Sequence, residues 1–534
     1  MDVYNLPLEQ RVLGPILAAR AKSEGERPYL TFGGRTWSFR ETAAVVRDHA
    51  RGLRELGVAK GDMVAMLLPN GAEFVFSWYA ICLTGAAMVP INPEYKGYML
   101  DYVLGDCRAK GLVVDRSLAG ALSSLAPESL QRLDWVAVVG GLDGLDLPAG
   151  PKRYLDYKDA SRSGNSDPEV RSDFRDLQCV MYTSGTTGPS KGVMIPNGHF
   201  FSSSMTFLRA LALTRDDVLF TPLPLFHGLA SRLGVLPALM TGTHVVIVDR
   251  FHASRFWQQV TDCKATVGHT IFSIPPILKA QSPGPYDTAH CLRAMYNANY
   301  DAEFEQRFRV PLVEAYGVTE TGLTIYTPWP ERRAGSCGRA HEDYEIAIVD
   351  EYDRPLPDGE VGEVLVRPKR PFITMAGYLN KEAETLRVLR NLWYHSGDYA
   401  RRDAEGYFFF AGRMKERIRR RGENISGFEV ERIVCNHPEI GECAAVAHPA
   451  PGGEDDVRCV IVRRAGSTLT ETALLDWLVP RMPHFMVPRY IEFVERMPMT
   501  PSQKVEKYKL VADGLGPTAW DREAAGYKVE RQSK

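Results

Sequence analysis

Apolar runs with the length and composition of strands alternate with helix-like runs along most of this 534-residue chain. Val64–Leu68 and Ala87–Ile91 have the pattern of buried strands, and Glu73–Leu83 between them has the pattern of a helix. Such alternation is typical of α/β layers, in which helices cover a sheet. Because a single hydrophobic core stops growing near about 250–300 residues, this chain is expected to form two or more domains.

The same patterns continue beyond these segments. A helix is expected around Leu100, Val103 and Leu104, and residues 139–175, rich in Gly, Asp, Pro and Ser, have the composition of a surface connection. Further strands are predicted at Leu112–Val114, Cys179–Tyr182, His244–Val248, Glu345–Val349 and Glu363–Val366.

One apolar stretch is long enough to cross a bilayer. Phe74–Pro93 has no charged residue over twenty positions. Gly85 and Pro90 interrupt it, so we predict a buried helix that runs into a buried strand. Met1–Arg11 has no apolar segment of the kind found in a signal peptide. We therefore expect a cytoplasmic protein without integral membrane contact.

Charge and cysteine content exclude some classes of protein. The chain has 64 Lys and Arg against 66 Asp and Glu, a net charge of −2, which argues against a general nucleic-acid binder. Its nine cysteines form no Cys-x-x-Cys pair. We therefore expect reduced, mostly buried thiols rather than a zinc cluster or a disulfide framework.

The last 120 residues or so differ from the rest in charge and in the pattern of predicted elements. After Gly412 comes a basic run, 413–421, and Ser426-x-x-Glu429 is a capping box at the start of a helix with Val430, Ile433 and Val434 on one face. Strands at Cys443–Ala447 and Val457–Val462, a helix from Thr470 to Leu478 and a last strand at Tyr490–Val494 complete a compact α+β unit. We place the domains at 1–412 and 416–534.

The most informative segment follows the strand at Cys179–Tyr182. It contains glycines that permit close backbone approach, four hydroxyl side chains and one lysine, a set that suits a polyphosphate. The spacing is not that of a Walker A loop. A plain flexible turn is the alternative on composition alone. The residues are Thr183, Ser184, Gly185, Thr186, Thr187, Gly188, Lys191 and Gly192.

This loop resembles the signature loop of the adenylate-forming superfamily, which includes acyl-CoA synthetases, luciferases and the adenylation domains of peptide synthetases. Further motifs follow in the family's order, so the resemblance covers essentially the whole chain. It implies a large multi-layer α/β N-terminal domain, a small mobile α+β C-terminal domain, and ATP or AMP bound by the loop. It also implies that Thr183 and Lys191 take part in catalysis and that Thr183 contacts the metal.

Two motifs resemble the family's carboxylate and nucleotide sites. In Leu225–Gly228, the resemblance implies that His227 walls the carboxylate pocket. In Glu314–Thr321, it implies that Tyr316 and Gly317 contact the nucleotide, with Tyr316 offering its face to adenine. Thr319 would contact the α-phosphate, and Glu320 would hold Mg²⁺, a cation that prefers carboxylate oxygen.

Later motifs supply the remaining nucleotide contacts. Trp393–Asp398 resembles the ribose motif, with Asp398 accepting from the ribose hydroxyls and Arg413 as the second ribose contact. Lys415 falls at the family's hinge position. Pro498–Lys507 resembles the closing motif, whose lysine, here Lys504, bridges the substrate carboxylate and the nucleotide.

The resemblance also marks a channel and a pocket. The segment from Gly422 resembles the lining of the pantetheine channel, which assigns Arg421, Gly422 and Glu423 to coenzyme A. Arg419 and Arg420 are further candidates for its phosphates, against the plainer interpretation of a solvated basic run. The acyl pocket is assigned to His227, Tyr296, Asn297 and Thr321, with Phe226 and Asn299 as further candidates.

Three departures from the family pattern stand out. Gln503 replaces the usual glycine before Lys504, and Arg339 stands where a proline is common. Tyr296–Asn299 replaces a Gly-Gly-x-Pro segment. Together with the sequence from Gly422 to Ser426, this last change looks most like the crotonobetaine/carnitine–CoA ligase branch. No carboxylate that would neutralise a quaternary amine is evident.

The expected activity is an ATP-dependent carboxylic acid–CoA ligase of the kind used in fatty acid metabolism, with ATP, Mg²⁺ and coenzyme A. Its expected partners are these small molecules and a carboxylic acid, with no nucleic acid. Family members are often dimers, which leaves a homodimer open. Residues 505–534 hold no carrier-protein sequence, which weakens the peptide-synthetase interpretation. An acyl-AMP ligase serving a separate carrier protein, a luciferase and a non-catalytic nucleotide sensor remain as alternatives.

Overall fold

The computed structural model of the chain describes residues 2–529 except 165–166, 184–189, 272–273, 298–299, 414–417, 421–422, 426, 452, 499–504 and 506. Two large sheets, mostly parallel, form the centre of the N-terminal part. Smaller antiparallel sheets follow them in the sequence.

The first large sheet has eight strands. Its central strands are parallel and almost fully buried, as expected for strands covered on both faces by helices. The two strands at one end are antiparallel. In spatial order the strands are Gly377–Tyr378, Lys191–Pro196, Leu177–Thr183, Ala87–Pro90, Met63–Leu67, Gly111–Asp115, Trp135–Val139 and Tyr154–Asp156.

The second large sheet has seven strands and is parallel except for its final hairpin. In spatial order the strands are Leu312–Val313, Ala294–Tyr296, Val267–His269, Val218–Thr221, His244–Ile247, Pro28–Phe32 and Arg35–Ser38.

Apolar helices pack against the two sheets. Ala72–Leu83 is buried around most of its circumference, with Phe74 and Trp78 almost fully covered. Phe39–Glu55 begins at a capping box in which Ser38 and Glu41 satisfy each other's backbone N–H groups. The other α-helices of this part are Leu13–Ser23, Gly97–Cys107, Pro127–Gln131, Asn197–Ala210, Gly228–Ala230, Leu236–Thr241, Phe256–Asp262, Ile274–Lys279, Ala302–Phe308 and Glu382–Val388.

Two antiparallel sheets complete the part of the chain up to Arg413. One has three strands, Ala315–Val318, Gly322–Tyr326 and Arg339–Ala340. The other has four, in the order Tyr344–Val349, Val361–Pro368, Tyr394–Arg402 and Phe408–Arg413.

The C-terminal part has its own hydrophobic cluster, to which Met99 of the preceding part also contributes. A hairpin of Ile418–Arg420 and Glu423–Ile425 precedes a four-stranded sheet. That sheet has the order Ile440–Pro449, Asp455–Arg463, Tyr490–Val494 and Trp520–Asp521, and its α-helices are Gly427–Cys435, Glu471–Leu478 and Lys507–Ala512.

The predicted α/β class is confirmed, with a large multi-layer part and a small α+β part. Phe74–Pro93 is a buried helix followed by a buried strand, as predicted. None of the helices among the described residues is both long and apolar enough to span a membrane. All nine cysteines are free, and Cys291 and Cys435 are exposed.

Two predictions about secondary structure were wrong. Residues 139–175 are not only a surface connection, because Tyr154–Asp156 forms the edge strand of the first sheet. Tyr490–Val494 is not the last strand, because Trp520–Asp521 pairs with it. Both strands are only two or three residues long, so the periodic pattern that identifies longer strands is absent from them.

Candidate nucleotide and acyl site

A cavity of about 760 Å³ lies where the first large sheet, the antiparallel sheets and the C-terminal hairpin meet. Residues from segments far apart in the sequence line it, and they include Thr183, Lys191, His227, Tyr296, Tyr316, Gly317, Thr319, Glu320, Asp398 and Glu423. The structure thus brings together ten of the predicted site residues.

One end of the cavity is cationic. Thr183 ends one strand of the first sheet and is paired with Lys191, which begins the next. Nζ of Lys191 lies 4.5 Å from the centre of the Tyr378 ring, and no ion pair involves it among the described residues. Burial lowers the pKa of Lys191, and the Glu320 carboxylate opposes that shift. Ser184, Gly185, Thr186, Thr187 and Gly188, which connect these strands, lie outside the described residues.

Glu320 faces this lysine across the same end of the cavity. The Tyr378 hydroxyl donates a 2.8 Å hydrogen bond to its Oε1. Burial raises the pKa of that hydroxyl well above its ordinary range, so it remains a donor at neutral pH. A carboxylate that is held in one orientation and faces the cavity is a chemically suitable ligand for Mg²⁺. The residues present therefore fit the metal.

A second group of residues lies where the sequence predicts the nucleoside contacts. The Tyr316 hydroxyl donates a 2.9 Å hydrogen bond to Oδ2 of Asp398, which is only 1% exposed. The Phe410 ring lies roughly parallel to that of Tyr316, with centroids 6.3 Å apart. Asp398 is paired with Arg413 in the antiparallel sheet, so the two predicted ribose contacts are neighbours in the backbone. The side chain of Arg413 is outside the described residues.

Close backbone packing explains the glycine after Tyr316. A Cβ at Gly317 would lie 2.1 Å from the carbonyl oxygen of Gly322 on the paired strand. Any larger residue at 317 would therefore push apart the hairpin that positions Tyr316, Thr319 and Glu320.

Two buried groups brace the ribose motif. Oε1 of Glu363 accepts a 3.0 Å hydrogen bond from the backbone N–H of Gly397, and Oε2 lies 3.1 Å from Nδ1 of His395. Burial alone would raise the pKa of Glu363, but these two hydrogen bonds lower it overall. The turn that carries Asp398 is therefore held by an ionised carboxylate on the neighbouring strand.

The opposite end of the cavity is more apolar. Phe226, Leu229 and Tyr296 line it, and Nε2 of His227 lies 3.1 Å from Oε2 of Glu423. Asn297 and Thr321 were predicted to lie here too, but neither is among the described residues that line the cavity. Both are fully buried, and Asn297 accepts a hydrogen bond from the Thr270 hydroxyl.

Arg232 is a buried cation in the wall of the cavity. It lies in a π-helical turn, Ser231–Val235, and its Nη1 donates a 3.2 Å hydrogen bond to the carbonyl oxygen of Thr319. Its Nη1 is also 3.2 Å from Nε2 of His199. π-Helical turns are uncommon and often occur at functional sites.

The C-terminal part contacts the cavity wall directly. Oε1 of Glu429 accepts hydrogen bonds from the hydroxyl and from the backbone N–H of Ser190, the latter at 2.8 Å. Burial raises the pKa of Glu429, and the hydrogen bonds from Ser190 oppose that shift. The helix predicted after Ser426 is present as Gly427–Cys435, while Ser426 itself lies outside the described residues.

The basic run is not one uniform surface. Arg419 lines the cavity. Arg420 is 3% exposed, forms a 3.0 Å ion pair with Asp456 and donates to the carbonyl oxygen of Val487. The expectation that Arg420 meets coenzyme A phosphates was therefore wrong, because its guanidinium is used within the C-terminal part. The predicted residues Lys415, Arg421, Gly422 and Lys504 lie outside the described residues.

Several cavity residues were missed by sequence reasoning. Tyr378 is 58 positions from Glu320, and Glu363 is 34 positions from Gly397, so no local spacing connects either pair. Arg232 stands alone within an apolar stretch, where an isolated charge is the one signal that could have identified it.

Comparisons with known proteins identify the family of the chain. Residues 17–379 match the family described as AMP-binding enzyme, and residues 429–504 match the AMP-binding enzyme C-terminal domain. The crotonobetaine/carnitine–CoA ligase of Salmonella paratyphi B is 31% identical over 466 residues, which are 85% of this chain and 89% of the relative.

Two solved structures show the same fold. A double mutant of o-succinylbenzoate CoA synthetase from Bacillus subtilis, bound with its product analogue OSB-NCoA, has a TM-score of 0.79 at 23% identity, covering 93% of this chain and 98% of the other. An anthranilate CoA ligase in complex with anthranoyl-AMP has a TM-score of 0.71 at 24% identity, covering 96% and 99%. The predicted resemblance is confirmed: this chain belongs to the AMP-binding enzyme family.

Proposed function

We propose that this protein is an ATP-dependent carboxylic acid–CoA ligase that forms an acyl-adenylate and then an acyl-CoA. One observation carries the proposal most strongly. A single cavity has at one end an oriented carboxylate and a lysine that forms no ion pair among the described residues. The Tyr316–Asp398 pair and an apolar region beside His227 line the rest of it. These groups suit a polyphosphate with its metal, a nucleoside and an acyl chain, respectively.

The first step joins the acid to AMP. A carboxylate oxygen of the substrate attacks the α-phosphorus of ATP, the bond from that phosphorus to the bridging oxygen breaks, and pyrophosphate leaves. Lys191 stabilises the negative charge that develops on the leaving group. Glu320 and Thr183 would hold Mg²⁺, which would neutralise phosphate charge. By resemblance, Lys504 bridges the carboxylate and the nucleotide.

The second step transfers the acyl group to coenzyme A. The thiolate attacks the acyl carbonyl, the bond to the AMP oxygen breaks, and AMP leaves. Glu423, Arg421 and Gly422 are proposed to line the approach of the thiol, and Lys415 is the proposed hinge for a rotation between the two steps. Since Glu423 lies against His227 in this structure, we assign the observed arrangement to the second step.

Relatives support both steps. The names of the Salmonella and Bacillus proteins include CoA ligase and CoA synthetase, and the anthranilate ligase is bound to an acyl-AMP. We further propose the division into domains 1–412 and 416–534, a cytoplasmic location and a homodimer.

The test is release of pyrophosphate and AMP from ATP and Mg²⁺ with a panel of acids, with and without coenzyme A. The panel should include fatty, aryl, dicarboxylic and betaine acids. Acid-dependent pyrophosphate release with AMP release that requires coenzyme A supports the ligase. Pyrophosphate release that coenzyme A does not accelerate indicates instead an acyl-AMP ligase serving a carrier protein. ATP binding without turnover on any acid indicates a nucleotide sensor.

A further inference from the structure

Arg232 has only 5% of its surface exposed and lies in the wall of the cavity. Burial lowers its pKa to about 10, so the guanidinium is still charged at neutral pH. Removing such a charge from water is costly unless a partner compensates it. The question is therefore which group compensates it.

The protein supplies part of that compensation, since the Glu320 carboxylate opposes the lowering of the Arg232 pKa. Nη1 of Arg232 has the contacts to Thr319 and His199 described above, whereas Nε is buried and has no hydrogen-bond partner among the described residues. No carboxylate among the described residues forms an ion pair with the guanidinium. Two other buried arginines differ in this respect, since Arg420 pairs with Asp456 at 3.0 Å and Arg458 pairs with Glu492 at 2.6 Å.

The unsatisfied edge of the guanidinium lies beside a glycine. A Cβ at Gly228 would be 3.5 Å from both Nε and Nη2 of Arg232, and 3.4 Å from Sδ of Met181. Arg232 lines the cavity together with Gly228, Met181 and Leu233, so a bound ligand can approach the guanidinium from the cavity.

We propose that Arg232 binds an anionic oxygen on the acid substrate, distinct from the carboxylate that is activated, and so selects acids that carry a second anionic group. This inference rests on the proposed ligase function and narrows its substrate class to acids such as dicarboxylates. Arg232 is not expected to bind the carboxylate that attacks ATP. A guanidinium bound to that carboxylate would stabilise the substrate before the reaction and so slow its attack on the α-phosphorus. The same charge disfavours acids that carry a quaternary ammonium group.

The test uses acids of one chain length that end in a methyl, a carboxylate or a trimethylammonium group. For the wild-type enzyme we expect kcat/KM at least tenfold higher with the dicarboxylate than with the monocarboxylate. Arg232→Met should lower kcat/KM for the dicarboxylate at least tenfold more than it lowers kcat/KM for the monocarboxylate. Arg232→Lys should retain part of the preference.

A matched control is Arg11→Met. Arg11 is also buried, at 3% exposed, but it donates to Ser202 and to the carbonyl oxygen of Leu6 and does not line the cavity. Its loss should lower the melting temperature without changing the order of preference among the acids. Melting curves of the Arg232 variants identify any that fail to fold.

Two results would overturn the inference. They are equal losses on all three acids in Arg232→Met and a wild-type preference for the trimethylammonium acid. Calorimetric binding of the same acids to enzyme saturated with a non-hydrolysable ATP analogue separates this inference from the proposed function. Preferential binding of the dicarboxylate without turnover supports the role of Arg232 and contradicts the ligase. Turnover of all the acids without a preference for the dicarboxylate contradicts the role of Arg232 and leaves the ligase function standing.

Discussion

Nε2 of His227 lies 3.1 Å from Oε2 of Glu423, although the two residues are 196 positions apart in the sequence. His227 belongs to the wall of the cavity, and Glu423 begins a strand of the C-terminal hairpin. This contact fixes the hairpin against the acyl end of the cavity, where a thiol would have to approach an acyl-adenylate. The arrangement of the C-terminal part therefore bears directly on the second step.

Glu423→Gln should slow thioester formation more than adenylate formation. The variant keeps the shape of the side chain and removes its charge, so the contact with His227 becomes weaker. We expect a roughly three- to tenfold slower reaction of coenzyme A with a supplied acyl-adenylate, and pyrophosphate release within about twofold of wild type. Glu442→Gln, an exposed position on a C-terminal strand, is the control. Equal slowing of both steps would contradict the assignment of the observed arrangement.

Tyr378→Phe should increase the requirement for Mg²⁺. The change removes the hydroxyl that orients Glu320 and leaves the aromatic ring next to Lys191. A hydrogen bond to a charged group contributes about 1.5–3 kcal/mol, so roughly a tenfold rise in the Mg²⁺ concentration for half-maximal pyrophosphate release is expected. Tyr352→Phe, at an exposed tyrosine, is the matched control. An unchanged Mg²⁺ dependence would show that Glu320 does not hold the metal.

Lys504→Ala should affect the first step and spare the second, the reverse of what is expected for Glu423→Gln. By resemblance, this lysine acts only while the acid is joined to AMP. We expect the variant to lose acid-dependent pyrophosphate release and to retain thioester formation from a supplied acyl-adenylate. Both steps are measured on the same folded preparation. If both are lost equally, the assignment of Lys504 is wrong.

Glu314→Gln should change how stability depends on pH. Burial raises the pKa of Glu314 from its ordinary 4.5 to about 7, and its Oε2 accepts a 2.8 Å hydrogen bond from the N–H of Gly335. A carboxyl with a raised pKa in the folded state contributes its stability fully below pH 4.5 and loses it as the pH rises through 7. Each pKa unit corresponds to about 1.4 kcal/mol.

The melting temperature of wild type relative to Glu314→Gln should therefore fall between pH 5.5 and pH 8. Glutamine can still accept the hydrogen bond from Gly335 but does not titrate. Glu351→Gln, at an exposed position, provides the comparison. Parallel melting profiles of wild type and Glu314→Gln over this range would show that Glu314 is not buried in its protonated form.

The longer elements of the fold could be predicted from the sequence because their signals are local. Val64–Leu68 and Glu73–Leu83 match the observed Met63–Leu67 and Ala72–Leu83 to within one residue at each end. Trp520–Asp521 could not be predicted, because two residues are too few to show an alternation of apolar and polar side chains. They form a strand by pairing with Tyr490–Val494.

The site was only partly predictable, for a related reason. Motifs point to residues that we propose act on a ligand, such as Lys191, Glu320 and Asp398, but they do not point to the residues that hold them in place. Tyr378 is connected to Glu320 only through the folded structure. Arg420 shows the converse, because its place in a basic run gave no sign of its buried ion pair with Asp456.

The most direct test of the account is a single-turnover experiment on the complete protein with its preferred acid. Without coenzyme A, we predict one equivalent of pyrophosphate per active site and an acyl-adenylate that stays bound. Addition of coenzyme A should then release AMP and acyl-CoA in equal amounts. If coenzyme A neither accelerates AMP release nor becomes acylated, the protein is not an acid–CoA ligase.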